Sequence, residues 1–400
     1  MPEYHVPGVY IDERRLGRGP IAPAGTSTTA FVGPTRKGPL NSPTAVASFA
    51  EYQAIFGAAL GESLLSIAVL QYFSNGGREA VVVGTGHAGK GATARVAGAE
   101  LVGRRDDETG IYALANARRS RLPVNILVIP DASALAPREH VSAARAALDF
   151  CEQNGIFFIM DPPAPRSTRR ALDAVLDWAK RGGALRHPNA AVYFPRVECT
   201  DPSNRSATLL VPASGAIAGV YARTDQRDGV WKAPAGTEAR LLGVRDVEMV
   251  LTDAQGAKLQ GAAINAIRPF PHRGVLAWGA RSFVAGTENE LWKYLSVRRL
   301  MLFVEESLYR GLQWTVFESN DESSWAEVRL SVSSFMNHLW RSGALRGQSS
   351  REAYFVKCNR ETMTEADIQG GRAVALVGFA PVKSAEFIVL RIELPTADAC

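Results

Sequence analysis

Residues 124–163 read VNILVIPDASALAPREHVSAARAALDFCEQNGIFFIMDPP. An apolar run, Val124–Ile129, stops at Pro130-Asp131 and predicts a buried strand. Pro137 suits the first position of a helix, because its fixed φ fits and its missing N–H has no partner to lose there. A second buried strand, Ile156–Met160, ends in Asp161. Working outward, Arg170–Lys180 predicts a helix and Ala190–Phe194 a third strand. This β-α-β-α-β order implies a parallel sheet with helices on its faces.

Upstream, Thr29–Val32 predicts a strand broken by Gly33-Pro34. Ser48 opens the helical segment FAEYQAIFG, which Gly57 closes. Ser63–Phe73 predicts a second helix, and Asn75-Gly76-Gly77 turns into the strand Ala80–Val83. Residues 236–285 read as short strands and turns. In the last 110 residues Val297, Leu300, Met301, Val304 and Leu308 mark one helix face. After Asp321, Trp325, Val328, Val332, Phe335 and Leu339 recur at steps of three and four until Gly343. Thr364-x-x-Asp367 is a capping box before a short helix. The strand Tyr354–Cys358 precedes that helix, and the strands Val374–Phe379 and Phe387–Leu394 follow it. Val211–Ala235, VPASGAIAGVYARTDQRDGVWKAPA, shows no regular apolar period and reads as a shaped, Gly/Pro/Ala-rich loop.

Composition narrows the function. The chain has 400 residues, 46% of them hydrophobic, and a net charge of +5. That length predicts two or three domains. The modest charge, spread so thinly, does not indicate nucleic acid. Cys151, Cys199, Cys358 and Cys400 lie far apart with no metal-ligand spacing, so neither a disulfide framework nor a zinc site is expected. MPEYHVPGVY is no signal peptide, and no apolar run approaches the ~20 residues that span a bilayer.

Two chemistries invite comparison. Gly84-x-Gly86-x-x-Gly89 fits a dinucleotide fingerprint after a strand, and Gly84-xxxx-Gly89-Lys90 fits most of a P-loop. Gly91 stands where the P-loop needs Ser or Thr, and Gly98 and Gly103 make the next segment a poor anion-binding helix. A nucleotide-binding enzyme using Gly84–Lys90 is therefore the alternative reading, against a plain Gly-rich turn. For acyl transfer, Ser214 lacks the G-x-S-x-G elbow, because Pro212 replaces the first Gly. His140 and His187 have no motif around them. Asp131 and Asp161 read as strand-end turns or caps.

PSGAIAGVYARTD followed by GVWKAPAG resembles the signature of contractile tail sheath proteins of phages and phage-tail-like injection systems. HVPGVYIDE, TSTTAFVGPTRKGPLNSP, QYFSNGGREAVVV, FFIMDPP, AINAIRPFPHRGVLAWGARSF, VRRLMLFVEESLYRGLQWTVFESNDESSWAEV and GFAPVKSAEFIVLRI resemble further family segments in the family's own order. Lys258-Leu259-Gln260-Gly261 departs from it, standing where an Asn-Pro pair is common.

The resemblance implies an α/β and α+β multidomain chain. Its middle domain (86–285) would be a non-catalytic, subtilisin-like α/β domain. An α+β domain would be built from N- and C-terminal segments (21–85 and 286–384), with extended strand arms at 1–20 and 385–400. It implies a non-enzymatic subunit without cofactor or metal, polymerising with itself in hexameric rings around an inner tube. Baseplate and terminal cap proteins are the other expected partners, with no nucleic acid and no membrane insertion. Assembly is expected in the bacterial host cytoplasm, as part of a phage tail or tail-like particle. Strands at free ends carry unpaired backbone groups, which can be met within their own chain or by another subunit. The residues alone favour the first, and the resemblance implies the second, with Val9, Tyr10 and Ile11 and Ile388, Leu390 and Ile392 as the inter-subunit strand-exchange residues. Arg298 and Arg299 read as a solvated helix face and, with the basic balance, as candidates to face an acidic tube.

Overall fold

The computed structural model describes residues 20–57, 64–87, 97–119, 122–202, 204, 206–284, 292–382 and 388–395. The chain divides into two units, one of residues 24–304 and one of residues 1–23 with 305–400.

The larger unit begins with β1 (Thr29–Thr35), β2 (Thr44–Val46), α1 (Phe49–Phe56), α2 (Leu64–Ser74) and β3 (Ala80–His87). Two short helices follow, α3 (Gly98–Val102) and α4 (Leu114–Arg119). Next come β4 (Ile126–Val128), α5 (Pro137–Asn154), β5 (Phe157–Met160), α6 (Ala171–Arg181) and β6 (Ala190–Phe194). Then β7 (Val197–Thr200), β8 (Thr208–Val211), α7 (Ser214–Asp228), β9 (Val244–Val247) and α8 (Asp253–Gly261) lead to β10 (Ile264–Phe270) and β11 (Gly274–Ala277). Helix α9 (Leu295–Gly311) carries the chain out of this unit.

Eight strands form one sheet in the order β11-β10-β6-β5-β4-β1-β3-β2. Neighbours from β3 through β10 run parallel, and only the outer strands β2 and β11 are antiparallel. Successive strand residues point to opposite faces, so each strand feeds two cores. Ala30, Val32, Val81, Val83 and Leu127 meet Ala143, Ala147 and Cys151 of α5 and Val175 of α6. Phe31, Val82, Ile126, Val128 and Phe157 meet Tyr52 of α1, Leu65 and Tyr72 of α2 and Ile217, Val220 and Tyr221 of α7. A second, antiparallel sheet has the order β8-β7-β9.

Local signals work as expected in several elements. Ser48 accepts from the Glu51 amide at the start of α1, and Gly155 ends α5 with φ 64°. Two expectations are corrected. Residues 24–85 belong to one unit with 86–304 and not with residues 305–384, because β1, β2 and β3 are built into the eight-stranded sheet, with β1 between β3 and β4.

The stretch read as a loop is the helix α7. Every residue from Ser214 to Ala222 is buried, as is Thr224. An apolar period marks a helix with one wet face, and α7 is covered on all sides through this stretch.

The smaller unit contains α10 (Glu322–Arg341), α11 (Ser350–Ala353), β12 (Tyr354–Lys357), α12 (Glu365–Gln369), β13 (Arg372–Phe379) and β14 (Ile388–Pro395). Asp321 caps α10 by accepting from the Ser324 amide, and Trp325, Val328, Val332, Phe335 and Leu339 are buried along it. Thr364 and Asp367 form the expected capping box. The sheet runs β12-β13-β14, antiparallel throughout.

Candidate functional site

In parallel α/β sheets, chemistry gathers at the carboxyl ends of the strands. Here β4 and β5 are followed by two buried aspartates, Asp131 and Asp161, at 5% and 6% exposure. Asp161 accepts from the Ser214 amide at 3.2 Å and from the Ser214 hydroxyl, and so covers the first turn of α7. Asp131 accepts from the amides of Leu64 and Leu65 at the start of α2. Burial pushes both carboxyls up to about 7 against these hydrogen bonds, which favour the charged form.

The fold thus brings Ser214, Asp161 and His140 close together, yet it does not arrange them for nucleophilic catalysis. His140 Nε2 lies 2.9 Å from the backbone oxygen of Asp161, which can only accept, so this nitrogen carries the proton. Burial lowers the imidazole pKa and keeps the ring neutral. A triad needs the base bonded to the nucleophile and the nucleophile open to substrate. The Ser214 hydroxyl bonds directly to the carboxylate and is fully buried. His187 is engaged elsewhere, accepting from the Asn189 amide at Nδ1 and facing Glu152 at 3.4 Å.

The glycine-rich stretch is also explained by packing. Gly84 and Gly86 lie within β3, which continues to His87, instead of in a loop opening a helix. The Gly84 carbonyl accepts from the Asn41 amide at 2.7 Å. A β-carbon on Gly84 would stand 2.9 Å from both the Pro39 carbonyl oxygen and Thr35 Oγ1. Gly89 and Lys90 lie outside the described residues.

Arg299 corrects another expectation. It is 3% exposed, and its guanidinium grips Asp225 through two bonds, of 2.9 and 2.6 Å. Asp225 is itself 2% exposed, so this arginine offers no charge to a partner surface. Arg298 is half-buried, bonded to Asn189 at 2.5 Å and stacked 5.0 Å from the Trp292 ring. The sequence reading missed Asp225. Its signal was an acid on the stretch taken for a loop, opposite an arginine set among Val297, Leu300, Met301 and Val304.

Residues 287–395 match the family described as phage tail sheath C-terminal domain. The tail sheath protein of Vibrio phage KVP40 is 25% identical over 190 residues, which is 47% of this chain and 27% of that longer protein. Among solved structures, the helical sheath of the anti-feeding prophage in its contracted state is 30% identical. That likeness covers 97% of this chain and 99% of the other, with a TM-score of 0.71. The chain belongs to the contractile tail sheath family. The six-fold symmetrised baseplate of the anti-feeding prophage also contains a similar chain, 28% identical, with 97% and 99% coverage and a TM-score of 0.71.

Val9, Tyr10 and Ile11 lie outside the described residues. Ile388, Leu390 and Ile392 stand on β14, in register with Phe379, Val377 and Ala375 of β13 in the same chain. In this sheath chain Cys151, Cys199 and Cys358 are buried free thiols. Among the described residues no cluster of His, Cys, Asp or Glu is placed to hold a metal, and no helix is long and apolar enough to cross a membrane.

Proposed function

We propose that this protein is the structural subunit of a contractile sheath that polymerises as stacked hexameric rings around an inner tube. On triggering, the sheath shortens and drives the tube through a target envelope. The observation that carries this is likeness along nearly the whole chain, at 30% identity, to a helical sheath in its contracted state. The similar chain in a six-fold baseplate assembly supports the ring symmetry and a baseplate partner. The inner tube and a terminal cap complete the partners, with assembly in the bacterial cytoplasm.

In this reading residues 24–304 are a subtilisin-like α/β layer put to structural use. The six parallel strands covered on both faces support it, as does a serine bonded to a carboxylate where a nucleophile would be bonded to imidazole. Val9, Tyr10 and Ile11 and, at the other end, Ile388, Leu390 and Ile392 exchange between subunits. A ladder of backbone bonds holds rings together while they move, because it needs no fixed side-chain partner. Half-buried Arg298 is the remaining candidate to face the tube.

The test is negative-stain electron microscopy of the purified protein alone and with its tube protein. Striated hollow cylinders or ring stacks are expected, and a monodisperse monomer in both samples rejects the reading.

A further inference from the structure

The chain passes between its two units twice, after Pro23 and after Val304. We propose that Arg299 is a positioning residue that, within the larger unit, fastens the lead into β1 to the start of α9, so that the two segments hold and open as one. Arg299 lies five residues before the second passage, and its Nη2 also bonds the backbone oxygen of Thr26 at 2.9 Å, three residues after the first. The same guanidinium holds Asp225 of α7 and rests 4.7 Å from the centre of the Tyr221 ring. The Tyr221 hydroxyl meets that of Tyr193 on β6 at 2.8 Å. One side chain therefore ties the lead into β1, the start of α9, the middle of α7 and, through Tyr221, the central sheet.

A buried ion pair is a poor means of gaining stability, because desolvation cancels most of the attraction. It is a good means of fixing direction. The guanidinium is a rigid planar fork, and each hydrogen bond it makes sets an angle as well as a distance. Asp225 takes two of its N–H groups, and the third contact falls on a main-chain oxygen beside the first passage. The geometry is that of a clasp on the backbone.

The smaller unit carries a counterpart. Ile21, 6% exposed and two residues before the first passage, lies against Gly311 at the end of α9. A β-carbon on Gly311 would stand 2.6 Å from the Ile21 methyl. Between the two clasps, α9 runs unbroken through Val304 and Glu305. The clasp is independent of the sheath reading.

Hydrogen exchange on the full chain tests it. In the wild-type protein the amides of residues 24–28 and 296–304 are expected to open together, as one cooperative unit. Exchange at 24–28 far faster than at 296–304 overturns the proposal without any variant. Arg299→Lys keeps the charge and loses the fork. It is expected to speed exchange at both segments by about tenfold or more, while Ile126–Val128 and Phe157–Met160 stay protected. Unchanged exchange, or an equal rise everywhere, refutes a positioning role. Because the readout is exchange in unassembled protein, its failure is separate from a failure to form cylinders.

Discussion

Gly219 of α7 lies so close to Asn75 that an added β-carbon would stand 2.5 Å from the Asn75 β-carbon. One turn earlier, Gly215 would meet the backbone of Ala68 at 2.4 Å. The two glycines let α7 and α2 pack with their backbones nearly touching. Glycine inside a helix ordinarily costs about 1 kcal/mol relative to alanine. Here the close contact outweighs that gain. Gly215→Ala and Gly219→Ala are each expected to destabilise the protein by about 1–3 kcal/mol, as overpacking does. Urea denaturation measures it, and a rise in midpoint would show that the helices can part without cost.

Asp131 and Asp161 titrate near 7 in the folded chain, against about 4 when unfolded. The folded state therefore binds more protons between these values. This contribution to stability is fully present below about pH 4 and is lost as pH rises through about 7. Melting temperatures of wild type and Asp161→Asn at pH 5 and pH 8 are expected to differ in slope, with the variant falling less. Parallel slopes would remove Asp161 from the account.

Glu248 has a fully buried side chain and is held by Arg196 through bonds of 3.0 and 2.7 Å. Arg196→Ala strands that carboxylate and is expected to cost about 3–5 kcal/mol. The Arg104–Asp107 pair sits in solvent, and Arg104→Ala is expected to change stability by less than about 1 kcal/mol. Equal losses in calorimetry would contradict this ranking.

A chain lacking residues 386–400 is expected to stay folded and to form no sheaths. Removing β14 bares one edge of β13 and leaves the eight-stranded sheet whole. Full-length cylinders of the truncated chain, seen by electron microscopy, would dismiss the exchange role of Ile388, Leu390 and Ile392.

Neither wild type nor Lys90→Ala is expected to retain a fluorescent ATP analogue in equilibrium dialysis. Saturable binding that Lys90→Ala abolishes would restore the nucleotide reading.

Much of the fold was legible wherever a signal was local. Pro137 and Gly155 bound α5, and the Trp325-to-Leu339 stripe marked α10 because one face of that helix is wet. Helix α7 was illegible for the opposite reason, since a helix buried on all sides keeps no stripe, and Gly215 and Gly219 read as loop residues. The place of β1–β3 was hidden because pairing is nonlocal. Phe31 lies beside Val82 and Val128, and nothing near residue 31 says so. Arg299 was misread because its partner stands 74 residues earlier in the chain.

The three buried thiols bear on durability. Burial holds the Cys199 and Cys358 thiols up at about 11, and Cys151 is raised as well. Oxidants and disulfides react with the thiolate, which these residues rarely form and do not present at the surface. At these three positions the subunit is chemically silent. None of the three needs a reductant to stay a thiol or offers a partner for a crosslink, so around these positions the shape is held by packing and not by redox state.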